Sequence, residues 1–354
     1  MSASPGRRWP WLPALLLAVA LLAVACAGGG GEEAGPAEAG AAPKPVLRPS
    51  TGCSSPDAAL YQGAGSSQVR QITVEGAARD YRVYVPRSVR ADAPAPLVYN
   101  FHGLGSSALA QEIYSGLLPL AEAEGFVLVS PNGLGSPRGW RVPGLVQGQP
   151  DPERDLRFFD ALHQQVTASL CIDLDRVYST GMSNGAFFSS ALACARPQVV
   201  AAIAPVAGVF YPPDGCQAPV PVLAFHGTAD AIVPYRQGLI FNVIPYAGAE
   251  AYVDAWARLN GCSSPALERL GSEVVRRAYQ GCRADTVLVT VEGGGHTWPG
   301  SRLEDLIGRS AGGQQGAAPT PFPTAVPDLG YTTVQVSAAA MMWDFFRQHA
   351  RSGG

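Results

Sequence analysis

An α/β fold, with a mostly parallel central sheet and helices on both faces, is predicted by three observations. Short aliphatic runs of strand length alternate with longer amphipathic stretches along most of the chain. At 354 residues the chain is long enough for one large domain of that kind after an apolar leader is set aside. Each residue with evident chemical potential follows a strand-like run, at the carboxyl end where open α/β sheets build their sites.

Residues 1–26 read as an export signal. Arg7 and Arg8 form a basic start, and 11–25 is an apolar stretch too short for a comfortable membrane span. It ends in Ala23-Val24-Ala25-Cys26, small residues before a cysteine, which resembles the lipobox of bacterial lipoproteins and implies that Cys26 is lipidated. The alternative is an ordinary secretory signal. The expected location is the cell surface or periplasm as a lipoprotein, with secretion as the alternative, and any membrane contact is through the lipid anchor. Residues 27–51, rich in Gly, Ala, Pro and Glu, read as a flexible tether. Residues 52–354 are then one catalytic domain.

Within that domain 69–74 and 81–85 read as a hairpin turning at Gly76. A strand from 96, a helix over 113–124, a strand over 126–130 and an amphipathic helix over 155–170 follow. Strands are predicted over 176–180, 200–205, 221–225 and 286–291, and helices over 186–195, 250–260 and 336–349. The stretch 301–331, rich in Gly, Pro, Gln and Ala, is long for a connection and reads as either a disordered insert or a flap.

Charged residues make up 15% of the chain and the formal net charge is -3, so no basic face for nucleic acid is indicated. With Cys26 set aside, six cysteines remain: Cys53, Cys171, Cys194, Cys216, Cys262 and Cys282. An even set in an exported chain implies disulfides. Several connectivities are possible; short spans favour Cys262 with Cys282 and Cys194 with Cys216, which leaves Cys53 for Cys171. Neither C-x-x-C nor H-E-x-x-H spacing occurs, so no metal and no cofactor is expected.

The most specific chemical signal is Gly181-Met182-Ser183-Asn184-Gly185, a G-x-S-x-G pentapeptide between a strand-like and a helix-like run. Such a turn forces the serine into a strained conformation that projects its Oγ, and the glycines leave it room. Asp230 follows the strand at 221–225, and His296 follows the strand at 286–291 after three glycines. Ser, then Asp, then His is the chain order of the α/β-hydrolase fold. Asp214, Asp254 and Asp285 compete with Asp230, the last two from the wrong ends of their elements. His102-Gly103-Leu104 follows the strand from 96, where that fold supplies one oxyanion-hole amide, so the N–H groups of Leu104 and Asn184 are the expected donors. His102 and His226 read chiefly as loop-orienting side chains, and His163 and His349 as exposed. His102, Trp140 and Trp298 are candidates for contact with substrate.

The runs Phe101-His102-Gly103, Gly181 to Phe187, Ala204-Pro205-Val206-Ala207-Gly208, Phe225 to Asp230 and Gly294 to Gly300 resemble the polyhydroxybutyrate depolymerase and feruloyl esterase group, α/β-hydrolases of the carbohydrate esterase family one type. The resemblance runs from about Cys53 to the end. It implies hydrolysis of carboxylic esters by a Ser183–Asp230–His296 triad, with a hydroxyalkanoate polyester or a feruloyl or acetyl ester of plant polysaccharide as substrate. A peptidase on the same fold and a non-catalytic polymer-binding lipoprotein are the alternative classes.

Overall fold

The computed structural model describes residues 47–301 and 329–351. The segment read as an export signal with Cys26, the stretch read as a tether up to residue 46, and most of the 301–331 stretch lie outside the described residues. The tether also ends earlier than its composition suggests. Ser50 N–H donates to Ile172 O at 2.8 Å, Ser50 Oγ donates to Leu170 O at 2.7 Å, and Arg48 pairs with Asp175 at 3.1 Å. Residues 48–51 therefore belong to the folded body, locked there by the Cys53–Cys171 disulfide.

After a short helix α1 (Ala58–Gln62), strands β1 (Ser67–Val74) and β2 (Ala77–Tyr84) form an antiparallel hairpin. Its two turn residues, Glu75 and Gly76, both have positive φ, the geometry whose twist matches that of the strands. The chain continues through β3 (Ala95–Phe101), α2 (Ala108–Ser115), α3 (Leu117–Glu124), β4 (Val127–Pro131), α4 (Arg154–Ser169), β5 (Ile172–Met182), α5 (Asn184–Ala195) and β6 (Ala202–Val206). Then come β7 (Val222–Gly227), the small hairpin β8 (Gly238–Ile240) and β9 (Ile244–Tyr246), α6 (Ala249–Leu259), β10 (Pro265–Arg269), β11 (Val274–Tyr279), β12 (Thr286–Val291) and α7 (Ala338–Phe346).

Among the described residues ten strands form one sheet in the order β1-β2-β4-β3-β5-β6-β7-β12-β11-β10. The six strands from β4 to β12 are mutually parallel, and each edge is closed by antiparallel strands. This is the α/β-hydrolase fold. The central strands are buried throughout and their side chains alternate between two cores. Leu97, Tyr99 and Phe101 pack with α4, α5 and α6, whereas Val98, Leu128 and Phe225 pack with α3 and α7.

The differences from the sequence reading have local causes. The helix expected over 113–124 is two helices, because Gly116 adopts a left-handed conformation that ends α2 and starts α3 anew. The final helix begins at Ala338, where the Ser337 side chain accepts a hydrogen bond from Ala340 N–H. Strands β10 and β11 give no alternating apolar signal. They carry Glu268, Arg269, Arg276 and Arg277 at a sheet edge, where charge discourages pairing with another chain.

Candidate active site

Ser183 lies between β5 and α5 with φ 55° and ψ -119°, a sparsely populated conformation for a residue with a Cβ, of the kind that costs about 1–3 kcal/mol. Its N–H donates to Val206 O at 2.9 Å, and its carbonyl accepts from the Ala186 and Phe187 amides that open α5. The neighbouring glycines are required by close approach. A Cβ on Gly185 would stand 2.2 Å from Phe101 O, one on Gly181 2.6 Å from the same oxygen, and one on Gly208 2.6 Å from Ser183 O.

The loops after β7 and β12 bring Asp230 and His296 together. His296 Nδ1 lies 2.7 Å from Asp230 Oδ2, with both side chains buried. Asp230 Oδ1 accepts the amides of Ile232 and Val233 at 2.9 and 2.8 Å. The second histidine of this cluster, His226, donates Nε2–H to Val233 O at 2.8 Å and lies 3.4 Å from Asp230 Oδ2. Burial opposes ionisation of Asp230, but the hydrogen bonds from His226 and His296 outweigh it and hold the carboxyl well below the ordinary carboxylate range. The rival carboxylates lie elsewhere: Asp214 is exposed, Asp254 accepts the Tyr279 hydroxyl, and Asp285 lies beside His349. Two glycines let the loops close, since a Cβ on Gly227 would meet Gly294 O at 2.2 Å and one on Gly295 would meet Leu329 O at 2.0 Å.

His102 is fully buried and both ring nitrogens are committed to backbone. Gly133 N–H donates to Nε2 at 2.9 Å, so Nδ1 carries the proton and donates to Gly103 O at 2.7 Å. Burial pushes the ring down to about 4, so it is neutral. This arrangement does not leave His102 free to touch a substrate; it sets the direction of a peptide. In a planar trans peptide the C=O and the following N–H point opposite ways, so holding Gly103 C=O toward His102 turns Leu104 N–H away from it. Neither Leu104 N–H nor Asn184 N–H has an acceptor among the described residues.

Trp140 joins the two loops that carry those amides. Its indole Nε1–H donates to His102 O at 2.9 Å, its backbone N–H donates to Asn184 Oδ1 at 2.6 Å, and its carbonyl accepts from Asn184 Nδ2 at 3.1 Å. The ring packs edge-on to Phe101 and stacks on Phe188. The adjacent Arg141 N–H is held at 2.8 Å by Asp155, which also makes a buried ion pair with Arg79 at 2.6 Å. Nothing in the spacing of the sequence marks this network.

Ser183 and Asn184 line a cavity of about 190 Å³ whose walls are otherwise mainly apolar, with Leu104, Trp140, Phe187, Ile240 and Phe241 among them. Segments 142–149 and 240–244 form two of those walls. Trp140 thus reaches the cavity, whereas Trp298 does not line it. Trp298 is buried in the core beside α7, with its backbone N–H on the Tyr114 hydroxyl at 3.1 Å. His163 departs from expectation as well, being half-buried against Phe159 with its Nδ1 3.2 Å from the Tyr99 hydroxyl. A larger cavity of about 520 Å³ lies between α7 and β11–β12, and Ser183, Asp230 and His296 are not among the residues that line it. The candidate site is the smaller one because it holds the strained serine.

A protein of Nocardia uniformis subsp. tsuyamanensis that bears the name esterase NocK is 31% identical to this chain over 311 residues, covering 81% of this chain and 89% of that one. Feruloyl esterase D of Neurospora crassa is 32% identical over 274 residues, covering 72% and 84% respectively. No family model matches the chain. Among solved structures, an acetyl xylan esterase from Aspergillus awamori aligns at a TM-score of 0.49 and 16% identity over 65% of this chain and 94% of that chain, a likeness that adds nothing to the assignment. With relatives at this identity over most of both chains, the protein belongs to the feruloyl esterase-like family of α/β-hydrolases, and it is a carboxylic ester hydrolase.

Proposed function

We propose that Ser183, His296 and Asp230 form a catalytic triad that hydrolyses esters of a compact, largely apolar acyl group. The observation that carries the reading is the strained Ser183 in the wall of a mainly apolar cavity of about 190 Å³, in a chain where His296 and Asp230 are hydrogen-bonded at 2.7 Å. Neutral His296 takes the Ser183 proton through Nε2 as Oγ attacks the ester carbonyl. Asp230, ionised, holds Nδ1–H and stabilises the imidazolium. The N–H groups of Leu104 and Asn184 receive the oxyanion. The alcohol leaves with the proton from His296, and water repeats the cycle on the acyl-enzyme.

The cavity is small beside the roughly 300–1,000 Å³ of sites for drug-sized ligands, and its walls include Trp140, Phe187 and Phe241. That supports an aryl acyl group such as feruloyl in the slot, with the alcohol side of the ester outside. A second reading is favoured by the rim. Leu104 is 46%, Phe241 55% and Val243 75% exposed, and such a fringe suits an apolar polyester. Turnover of methyl ferulate, acetylated xylan and 3-hydroxybutyrate oligomers, measured side by side, separates the two. Ser183→Ala should lower kcat by at least about a thousandfold on whichever is used, because triad members act as a unit; near-full activity in that variant would refute the triad.

We further propose export, supported by three disulfides, Cys53–Cys171, Cys194–Cys216 and Cys262–Cys282, which persist in oxidising compartments. In this reading Cys26 carries a lipid. The mature protein should then partition into detergent and Cys26→Ser should abolish that partitioning; a water-soluble mature wild type in the native host would point to an ordinary secretory signal.

A further inference from the structure

The hairpin β8–β9 turns through Phe241 and Asn242, with Val243 N–H donating to Ile240 O at 3.0 Å. Both turn residues have positive φ, 51° and 59°. Turns of that kind are ordinarily built from Asn, Asp and Gly, and Asn242 conforms. Phe241 does not. A bulky side chain in the left-handed region is a steric outlier, because its Cβ crowds the following carbonyl. Packing does not account for it, since Phe241 belongs to neither core and its ring meets no other aromatic ring among the described residues.

Phe241 does have a place in the wall of the cavity that holds Ser183. Three of the residues that line this cavity are also exposed, Leu104 at 46%, Val146 at 38% and Phe241 at 55%, so these three mark where it opens to solvent. Phe241 is the aromatic one. An ester with its carbonyl at Ser183 and its acyl group in the cavity has to pass its alcohol over that rim. A ring presented there offers a flat apolar face that a second ring covers favourably. A residue kept against its local conformational preference is expected where function uses it.

We propose that Phe241 is a specificity-determining residue whose ring packs against the alcohol group of the ester, so that esters of ring-bearing apolar alcohols are preferred over methyl esters of the same acid. This rests on the reading of the cavity as the acyl slot.

The test compares kcat/KM for benzyl butyrate and methyl butyrate. These are esters of one acid with alcohols of similar acidity, so their ratio reads contact with the alcohol rather than leaving-group chemistry. Wild type should favour the benzyl ester by on the order of tenfold. Phe241→Asn should bring that ratio close to one and leave Tm equal or higher, because Asn takes positive φ with less strain. Phe241→Tyr keeps the ring and should keep the ratio. A residue that merely braces the hairpin would instead lower Tm on replacement by Asn and slow both esters alike; that result, or no preference in the wild type, would overturn the proposal. It is equally overturned if Phe241→Asn alters the ratio of methyl 3-phenylpropanoate to methyl butyrate and leaves the butyrate pair as it was, which would assign the ring to the acyl wall. Turnover of 4-nitrophenyl acetate separates this proposal from the reading beneath it. Wild type that cleaves it without preferring benzyl butyrate refutes the role of Phe241 alone, whereas wild type that fails on it refutes the Ser183 reading as well.

Discussion

Asp230 is the most heavily hydrogen-bonded carboxylate of the site, with two backbone amides on one oxygen and His296, with His226 close by, on the other. Those donors are fixed by the chain around them, so the carboxylate is held ionised although it is buried. The opposite case is His102. There burial removes the charge, and the neutral ring is useful because only a neutral ring can accept Gly133 N–H while donating to Gly103 O. Its folded value of about 4 lies below the ordinary value near 6.5. The unfolded chain therefore binds a proton that the folded chain does not between those values. Stability should be flat with pH above about 6.5, fall as pH drops toward 4, and lose nothing more from this group below that, for a total on the order of 3 kcal/mol. Urea unfolding at pH 8, 6.5, 5 and 4 measures it. His102→Gln should be less stable at pH 8 yet show a shallower fall, and an identical pH slope in wild type and variant would show that His102 does not titrate on unfolding.

At the scale of elements, the two amides proposed to hold the oxyanion come from the loop after β3 and from the first turn of α5. The pairing of β3 with β5, Phe101 beside Gly181, brings the two loops together. A third segment ties them further, since Trp140 bonds His102 O with its indole and the Asn184 side chain with its backbone. An oxyanion hole stabilises charge in proportion to how little it must reorganise, and loss of a donor costs about a hundred- to a thousandfold in kcat. Asn184→Ala keeps the backbone amide but frees the loop. It should lower kcat roughly ten- to a hundredfold with KM little changed, and weaken a phosphonate or boronic acid transition-state analogue in parallel. A variant with raised KM and unchanged kcat would assign Asn184 to substrate binding instead. The elements themselves were uneven in legibility. Buried strands such as β3, β4 and β7 are continuous apolar runs and can be read directly. The hairpin β8–β9, only three residues a strand, has no periodicity to read, and yet it supplies Ile240, Phe241 and Ile244 to the cavity.

Across the whole molecule, two cores on opposite faces of one sheet hold the parallel strands in a register that sets the carboxyl ends of β3, β5, β7 and β12 in one region. The disulfides add to this from the outside. Cys53–Cys171 spans 118 residues and ties the start of the folded body to β5, while Cys194–Cys216 and Cys262–Cys282 close spans of 22 and 20. Constraining the unfolded chain with loops of these lengths typically stabilises by about 3–5 kcal/mol each. By itself the sequence determined the class of fold, the strand-to-helix turn at Ser183 and the short list of residues from which a site is assembled. These depend on local features: runs of β-branched residues, a glycine wherever two backbones must touch, and a polar residue just past a strand. Only the tertiary structure decided that Asp230 rather than Asp214 meets His296, and that His102 orients a peptide while Trp298 belongs to the core. Each of those is a distance between residues far apart along the chain. Such distances follow from how the two cores pack against the sheet, which no single stretch of sequence encodes.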